Sequence, residues 1–262
     1  MEIVGYLTSI LIGISLGLIG GGGSVLTVPL LVYLFAIDAV TATTYSLFIV
    51  GMTSVVGSVS YFKKNLVNLK IALVFGVPSI VSVFLVRRFL LHAIPSTIFQ
   101  IGNFSLTKDI FLMLIFAILM LLSAYNMIKN KNVEETSDKP FNYPLVIFQG
   151  LLVGVLTGLV GAGGGFLIIP ALVQFLKLPI KNAIGTSLLI IAINSLSGFS
   201  FSFSHFYMAW DLILPITGIA IIGILIGSAI SKKIDGKKLK PAFGWFIVLM
   251  GIYIIAAELF LR

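Results

Sequence analysis

Apolar residues fill this chain in long stretches, and the polar residues collect between them. Residues 3–19 form a 17-residue apolar run. Gly20, Gly21, Gly22 and Gly23 interrupt it. The apolar piece that follows, residues 25–35, reaches only about 16 Å as helix, short of a hydrocarbon core of about 30 Å. Residues 40–61 are long enough to cross, and they carry an unusual set of hydroxyls. Residues 69–86 are a third apolar run, with Pro78 inside it. Residues 87–108 are predicted as a connection with surface structure of its own, and residues 109–128 cross again. Residues 129–140 are the one strongly polar stretch. The order then repeats: apolar 143–160, the glycines Gly161, Gly163, Gly164 and Gly165, a short apolar 166–176, then 183–203, 212–231 and 242–261. The pattern predicts an all-α polytopic membrane protein with about 8–10 membrane segments.

The two halves repeat residue for residue. A shift of 141 brings Gly13, Gly17, Gly20, Gly22, Gly23, Leu26 and Pro29 onto Gly154, Gly158, Gly161, Gly163, Gly164, Leu167 and Pro170. It also brings Ala42, Ser46, Leu47 and Gly57 onto Ala183, Ser187, Leu188 and Gly198. An ungapped match of this length predicts two copies of one unit. They are residues 1–128 and 143–262, joined by a polar linker at 129–142.

Composition agrees with the pattern. Charged residues are 10% of the chain and hydrophobic residues 59%, whereas a soluble domain carries about 25% charged residues. The net charge of +8 sits in the short connections, which argues against a nucleic-acid partner. The absence of cysteine excludes disulfides, thiolate metal sites and transfer of sulfur to a protein thiol. No metal cluster, catalytic triad or nucleotide loop is evident, so neither a cofactor nor enzyme activity is expected. The Gly-rich stretch at Gly161 fails as a dinucleotide-binding turn, because Phe166 occupies the third glycine position.

Charge placement selects a topology. If each glycine-broken segment returns to the side it entered from, the connections 62–70, 129–142, 177–181 and 231–240 share one side and hold 13 of the 17 Lys and Arg. The positive-inside rule makes that side, and the linker with it, cytoplasmic. Both termini are then outside, and the second unit is inverted relative to the first across the cell membrane. Inverted units with interrupted helices are a transporter architecture.

Glycine clusters let the backbone bend and approach a ligand. The short helix after each break presents unpaired N–H groups and the positive end of its dipole. Two such ends predict a neutral cradle for a small anion, with no Lys or Arg in the segments placed at the midplane. The candidate binding residues are Gly20, Gly21, Gly22, Gly23 and Ser24 at the first break, and Gly161, Gly163, Gly164 and Gly165 at the second. Ser46, Thr186, Ser187 and Asn194 supply further groups from the spans that follow. Scattered glycines such as Gly13, Gly17, Gly57, Gly154 and Gly198 are predicted to serve helix packing. Glu258, near the end of the last span, is predicted to snorkel to the interface.

These motifs resemble the TauE/SafE sulfite exporter family, also called the toluenesulfonate uptake permease family. The first copy carries the pattern as Gly17, Gly20, Gly22, Gly23 and Ser24 through Pro29 and Leu31, with Ala42, Ser46 and Leu47. The second carries it as Gly158 through Gly165, Pro170 and Leu172, with Ala183, Thr186, Ser187 and Leu188. Thr44-Tyr45-Ser46 departs from the usual Gly-Thr-Ser, so Tyr45 is not carried over as a ligand-facing counterpart of Thr186. The resemblance spans essentially the whole chain. It implies a transporter of sulfur-containing anions such as sulfite, sulfonates or sulfoacetate, linked to an ion gradient. The expected partners are that anion, the lipid bilayer and H⁺ or Na⁺ as a coupling ion. A passive anion channel and a non-transporting structural or assembly protein are the alternatives.

Overall fold

A computed structural model describes residues 2–101, 104–129, 143–174, 176, 178–203, 208–231 and 236–260. The predicted linker at 129–142 lies outside the described residues, apart from Lys129. Helix α1 is Glu2–Ile19, followed by a 3-10 turn at Gly22–Leu26 and the short α2 at Thr27–Tyr33. Next come α3 (Ala39–Phe62), α4 (Leu69–Leu85), α5 (Leu91–Ala93) and α6 (Lys108–Lys129). The second half contains α7 (Tyr143–Val160), α8 (Gly165–Gln174), α9 (Ile180–Ser202), α10 (Trp210–Ile230) and α11 (Gly236–Phe260). A small antiparallel hairpin, β1 (Thr97–Ile101) against β2 (Phe104–Thr107), fills the connection that was predicted to hold surface structure.

Among the described residues, six helices are long and apolar enough to cross a membrane: α3, α4 with its extension to Leu90, α6, α7, α9 and α10. With about 85% of the described residues in helices, the chain is an all-α polytopic membrane protein. Large apolar side chains such as Leu7, Leu73, Phe148 and Leu249 lie on the outer surface, where lipid is their natural solvent. Helices α3 and α9 form the centre: 67% of each span is buried, against 39–44% for the other four.

Neighbouring helices come from opposite halves. Helix α1 packs on α10, and α7 packs on α4. The shift of 141 carries α1 onto α7 and α4 onto α10, so the first pair maps onto the second. Helix α3 packs on its own counterpart α9, and α6 on α11. The α1–α10 and α4–α7 pairs run parallel. Gly13 abuts Ala220 and Gly17 abuts Ile224, while Gly154 abuts Ser79 and Gly158 abuts Val83 and Val86. The α3–α9 pair runs antiparallel, with Leu47 at Gly198, Leu188 at Gly57 and Tyr61 at Gly185.

The scattered glycines serve these contacts, as predicted. A Cβ on Gly17 would lie 2.5 Å from the Ile224 carbonyl oxygen, so only glycine permits this helix separation. Gly223 and Gly227 of α10 meet α1 in the same way, against Ile10 and Ile14. Polar caps start the central helices. The Asp38 carboxylate accepts from the Thr41 N–H at 2.9 Å, and the Asn68 side chain accepts from the Ile71 N–H at 3.1 Å.

The end of α4 differs from expectation. The helix does not stop at Val86. It continues through a π-helical turn, Val86–Leu90, into α5. Arg87, expected in a loop, is therefore helical, and it is the largest fully buried side chain among the described residues.

Candidate functional site

Each break begins with a helix ending in a left-handed glycine. Gly20 (φ 82°) closes α1 and Gly161 (φ 72°) closes α7. Their N–H groups donate to Leu16 and Thr157 carbonyls at 2.7 and 2.8 Å. This is a glycine C-terminal cap, and it recurs in register in both halves. The breaks then diverge. The first enters a 3-10 turn in which the Ser24 hydroxyl and N–H both donate to the Gly21 carbonyl. The second needs left-handed backbone twice more, at Gly163 (φ 66°) and Gly164 (φ 70°), before α8 starts.

Both breaks fold onto the central helix of the opposite half. Gly20 rests on Ile184 of α9, and Gly161 rests on Thr43 of α3. Between these points the breaks meet. A Cβ on Gly165 would lie 2.6 Å from the Cα of Gly21, so the two backbones touch. Gly163 faces Val50 and Ile191, which are themselves related by the shift of 141. The breaks therefore converge in the middle of the α3–α9 pair.

Convergence leaves donors exposed to one another. Leu167 and Ile168 both donate to the Gly164 carbonyl, at 2.9 Å each. The N–H groups of Ala162, Gly163 and Gly164 make no backbone hydrogen bond among the described residues, and those of Gly21, Gly22 and Gly23 at the first break share this. Side chains add to this set. The Ser195 hydroxyl lies 2.6 Å from where a Cβ on Gly163 would stand. The Thr157 hydroxyl faces Gly164 in the same manner. Both side chains are buried, and neither hydroxyl has a hydrogen-bond partner. The Ser46 hydroxyl, too, is buried without one. Ser46 shares the helix face of Thr43 and Val50, which touch the second break. Buried polar groups are satisfied in nearly all native proteins, so such a cluster calls for a ligand or a second conformation.

The predicted side chains divide into two groups. Asn194 donates to the Ser79 hydroxyl of α4 at 2.6 Å, while its Oδ1 is buried without a partner. Ser46 and Asn194 thus retain free capacity. Ser24, Thr186 and Ser187 do not in the same sense. The Ser187 hydroxyl donates to the Ile184 carbonyl of its own helix. The Thr186 hydroxyl accepts the Asn68 N–H at 2.9 Å, where α4 begins.

That last bond explains Tyr45. The Tyr45 hydroxyl accepts the Ala209 N–H at 3.1 Å, where α10 begins. Positions 45 and 186, and positions 68 and 209, are each separated by 141. Tyrosine and threonine therefore do the same work in the two halves: each holds the first turn of the opposite half's helix.

Two ionisable groups stand apart from their sequence-based expectations. Arg87, 1% exposed, donates from Nη1 to the Thr43 hydroxyl at 3.2 Å and the Thr44 hydroxyl at 3.3 Å. Thr43 is also the residue on which Gly161 rests. The expectation of a wholly neutral cradle is thus corrected: a guanidinium sits beside the second break. Sequence offered two signals, the hydroxyl pair Thr43-Thr44 and the adjacency of Arg87 to an apolar run. Glu258 does not snorkel either. It is fully buried and accepts from the Tyr33 hydroxyl at 2.8 Å, at the end of α2. Intramembrane charges of this kind mark functional regions more often than structural ones.

Comparison with known proteins gives a consistent picture. Residues 6–254 match the model of a family described as Sulfite exporter TauE/SafE. The chain is similar to the probable membrane transporter protein YunE of Bacillus subtilis, 28% identical with 93% of each chain covered. It is also similar to a probable membrane transporter protein of Methanocaldococcus jannaschii, 27% identical over 97% of this chain and 93% of the relative. A probable membrane transporter protein of Xylella fastidiosa is 27% identical over 94% of this chain and 91% of the relative. No solved structure matches the chain.

Proposed function

We propose, on the premise that this chain belongs to the TauE/SafE sulfite exporter family, that it carries small sulfur-containing anions by alternating access. That it is a multi-pass membrane transporter follows from the family, the relatives and the six apolar helices. The finer reading concerns substrate and mechanism. A sulfite, sulfonate or sulfoacetate type of anion is held where the two glycine breaks converge, by backbone amides and by hydroxyls that have no other partner. The carrying observation is the run of unpaired N–H groups from Ala162 to Gly164, just before α8, with the buried Thr157 and Ser195 hydroxyls aimed at it. Amides at a helix start favour an anion without requiring a fixed counter-charge.

The two halves are read as inverted repeats, with both termini outside the cell membrane. The antiparallel packing of α3 on α9 supports this, because equivalent helices run in opposite directions. An anion enters and leaves when the breaks separate, since their backbones touch in this conformation. An H⁺ or Na⁺ gradient drives the cycle.

Counterflow tests the reading. Proteoliposomes loaded with sulfite, protected from oxidation, are challenged with labelled sulfite in the presence of sulfate, thiosulfate, sulfoacetate or taurine. Saturable exchange, inhibited by some of these and not by others, is expected. No exchange of any of them by folded protein would refute the substrate assignment, and gradient-independent, non-saturable flux would mean a channel.

A further inference from the structure

From α1 through α4 the fold pairs residues with counterparts 141 positions away, yet several buried polar groups do not follow that pairing. Four of them stand on the second-break side with no polar or no free counterpart, whereas at the first break, among the described residues, only Thr27, opposite Ile168, has a buried hydroxyl without a partner. Thr157 corresponds to Leu16, Asn194 to Thr53, Ser79 to Ala220 and Arg87 to Ser228. On the second-break side, Thr157 and Asn194 hold polar atoms that are buried without a partner. On the first-break side, the Thr53 hydroxyl donates to Ile49 of its own helix, and the Ser228 hydroxyl donates to Leu225 of its own. Leu16 and Ala220 have no polar side-chain atom at all.

We infer that the transported anion is held on one side of the molecule, at the second break. Its binding residues are Thr157, Ser195 and the amides that follow Gly161, with Arg87 as the nearby positive group. This inference rests on the transporter reading above and deepens it. Three independent features point the same way. Helix α8, with 10 residues, presents a full N-terminal turn toward the break, whereas α2 has 7 and is preceded by a 3-10 turn that engages Ser24. The Thr157 and Ser195 hydroxyls are aimed at Gly164 and Gly163, where an L side chain would collide with them. The Arg87 guanidinium reaches the same Thr43 on which Gly161 rests. At the first break the Ser15 hydroxyl faces Gly23, but it donates to the Leu11 and Ile12 carbonyls of its own helix, and Ser228 stands where the second break has Arg87. The role of the first break is then to move: it closes the site by pressing Gly21 against Gly165, and opens it by withdrawing.

A fold-related pair of serines separates this from a site centred between the halves. Ser54 and Ser195 are counterparts, both buried and both without a hydrogen-bond partner. Replacing either with alanine removes no hydrogen bond within the protein, so neither variant is expected to melt below the wild type. One-sided binding predicts that Ser195→Ala raises the KM for sulfite counterflow by roughly tenfold, as for loss of one hydrogen bond to a charged ligand. Ser54→Ala is expected to leave KM and maximal rate unchanged. Thr157→Val should match Ser195→Ala. Arg87→Gln should raise KM further, and Arg87→Lys should recover part of the loss.

Equal losses in Ser54→Ala and Ser195→Ala would overturn one-sidedness while leaving the transporter reading intact. No effect in Ser195→Ala and Thr157→Val would overturn the assigned residues. Failure of the wild type to exchange sulfite, or any other anion of the panel, would instead remove the reading on which the inference rests.

Discussion

Substituting Gly165 with alanine tests whether the contact between the breaks belongs to the transport cycle. Gly165 is the first residue of α8 and has no left-handed backbone, so alanine is conformationally acceptable there. The obstacle is steric. The new Cβ would stand 2.6 Å from the Gly21 Cα and 2.6 Å from the Ile191 Cδ1. Carbon atoms pack at about 3.5–4.0 Å, so the breaks must part by about 1 Å. Ile191 can rotate away, but Gly21 is backbone and moves only with the first break. Overpacking of this kind costs about 1–3 kcal/mol. If that penalty falls on the closed state alone, its population relative to open states drops by roughly 5- to 150-fold. Sulfite counterflow should fall accordingly, because every cycle passes through closure. Gly21→Ala attacks the same contact from the other side, and the double variant should be less damaging than the sum. Gly76→Ala is the control, since a Cβ there meets nothing within 4 Å. Wild-type exchange by Gly165→Ala, with an unchanged melting temperature, would refute the reasoning.

Thr186→Val and Tyr45→Phe should each leave a buried N–H without its acceptor. Each is expected to lose about 1–3 kcal/mol of stability in a detergent melt, with KM for sulfite unchanged; an altered KM would place these hydroxyls at the ligand instead. Gly154→Val should break the α4–α7 contact, where a Cβ collides with the Ser79 carbonyl, and folded protein should vanish from size-exclusion profiles; a monodisperse wild-type yield would contradict the packing role. The chain has no cysteine, so single replacements at exposed Lys64 and Ser96 report topology directly. An impermeant maleimide applied to intact cells should label Ser96→Cys and not Lys64→Cys, and the reverse would invert the orientation.

Much of this arrangement was legible because the responsible forces are local. Apolar run length set the spans, and the glycine clusters marked both helix ends at Gly20 and Gly161. The repeated spacing matched equivalent positions correctly even where their chemistry differs, as with Tyr45 and Thr186. What escaped was the destination of individual polar atoms. Two adjacent arginines after an apolar run looked like the end of a span, yet a π-helical turn carries Arg87 inward to Thr43 and Thr44. Ser187 looked like a ligand because it is a buried hydroxyl, but a backbone carbonyl one turn away satisfies it. Glu258 looked interfacial from its place near the end of the last span, while Tyr33, 225 positions earlier, holds it inside. A hydroxyl or carboxylate finds its partner through tertiary geometry, which spacing along one helix does not encode.

The exchange of partners between halves also sets the order in which this protein can be assembled. Helix α1 rests on α10, which leaves the ribosome about 190 residues later, or roughly 10–40 s at ordinary synthesis rates. During that delay its glycine-lined flank has only lipid, or a chaperone of the insertion machinery, to cover it. Neither half is expected to mature as an autonomous folding unit, because the main helix contacts α1–α10, α4–α7 and α3–α9 all join the halves. The same interlock suggests an origin. Two separate copies of a half-length polypeptide, inserted in opposite directions, would have formed the same helix pairs, α1 on α10, α4 on α7 and α3 on α9, that the fused chain now forms with itself. Cutting the gene within the linker and expressing both pieces together is then expected to give a working pair, while either piece alone is expected to be degraded.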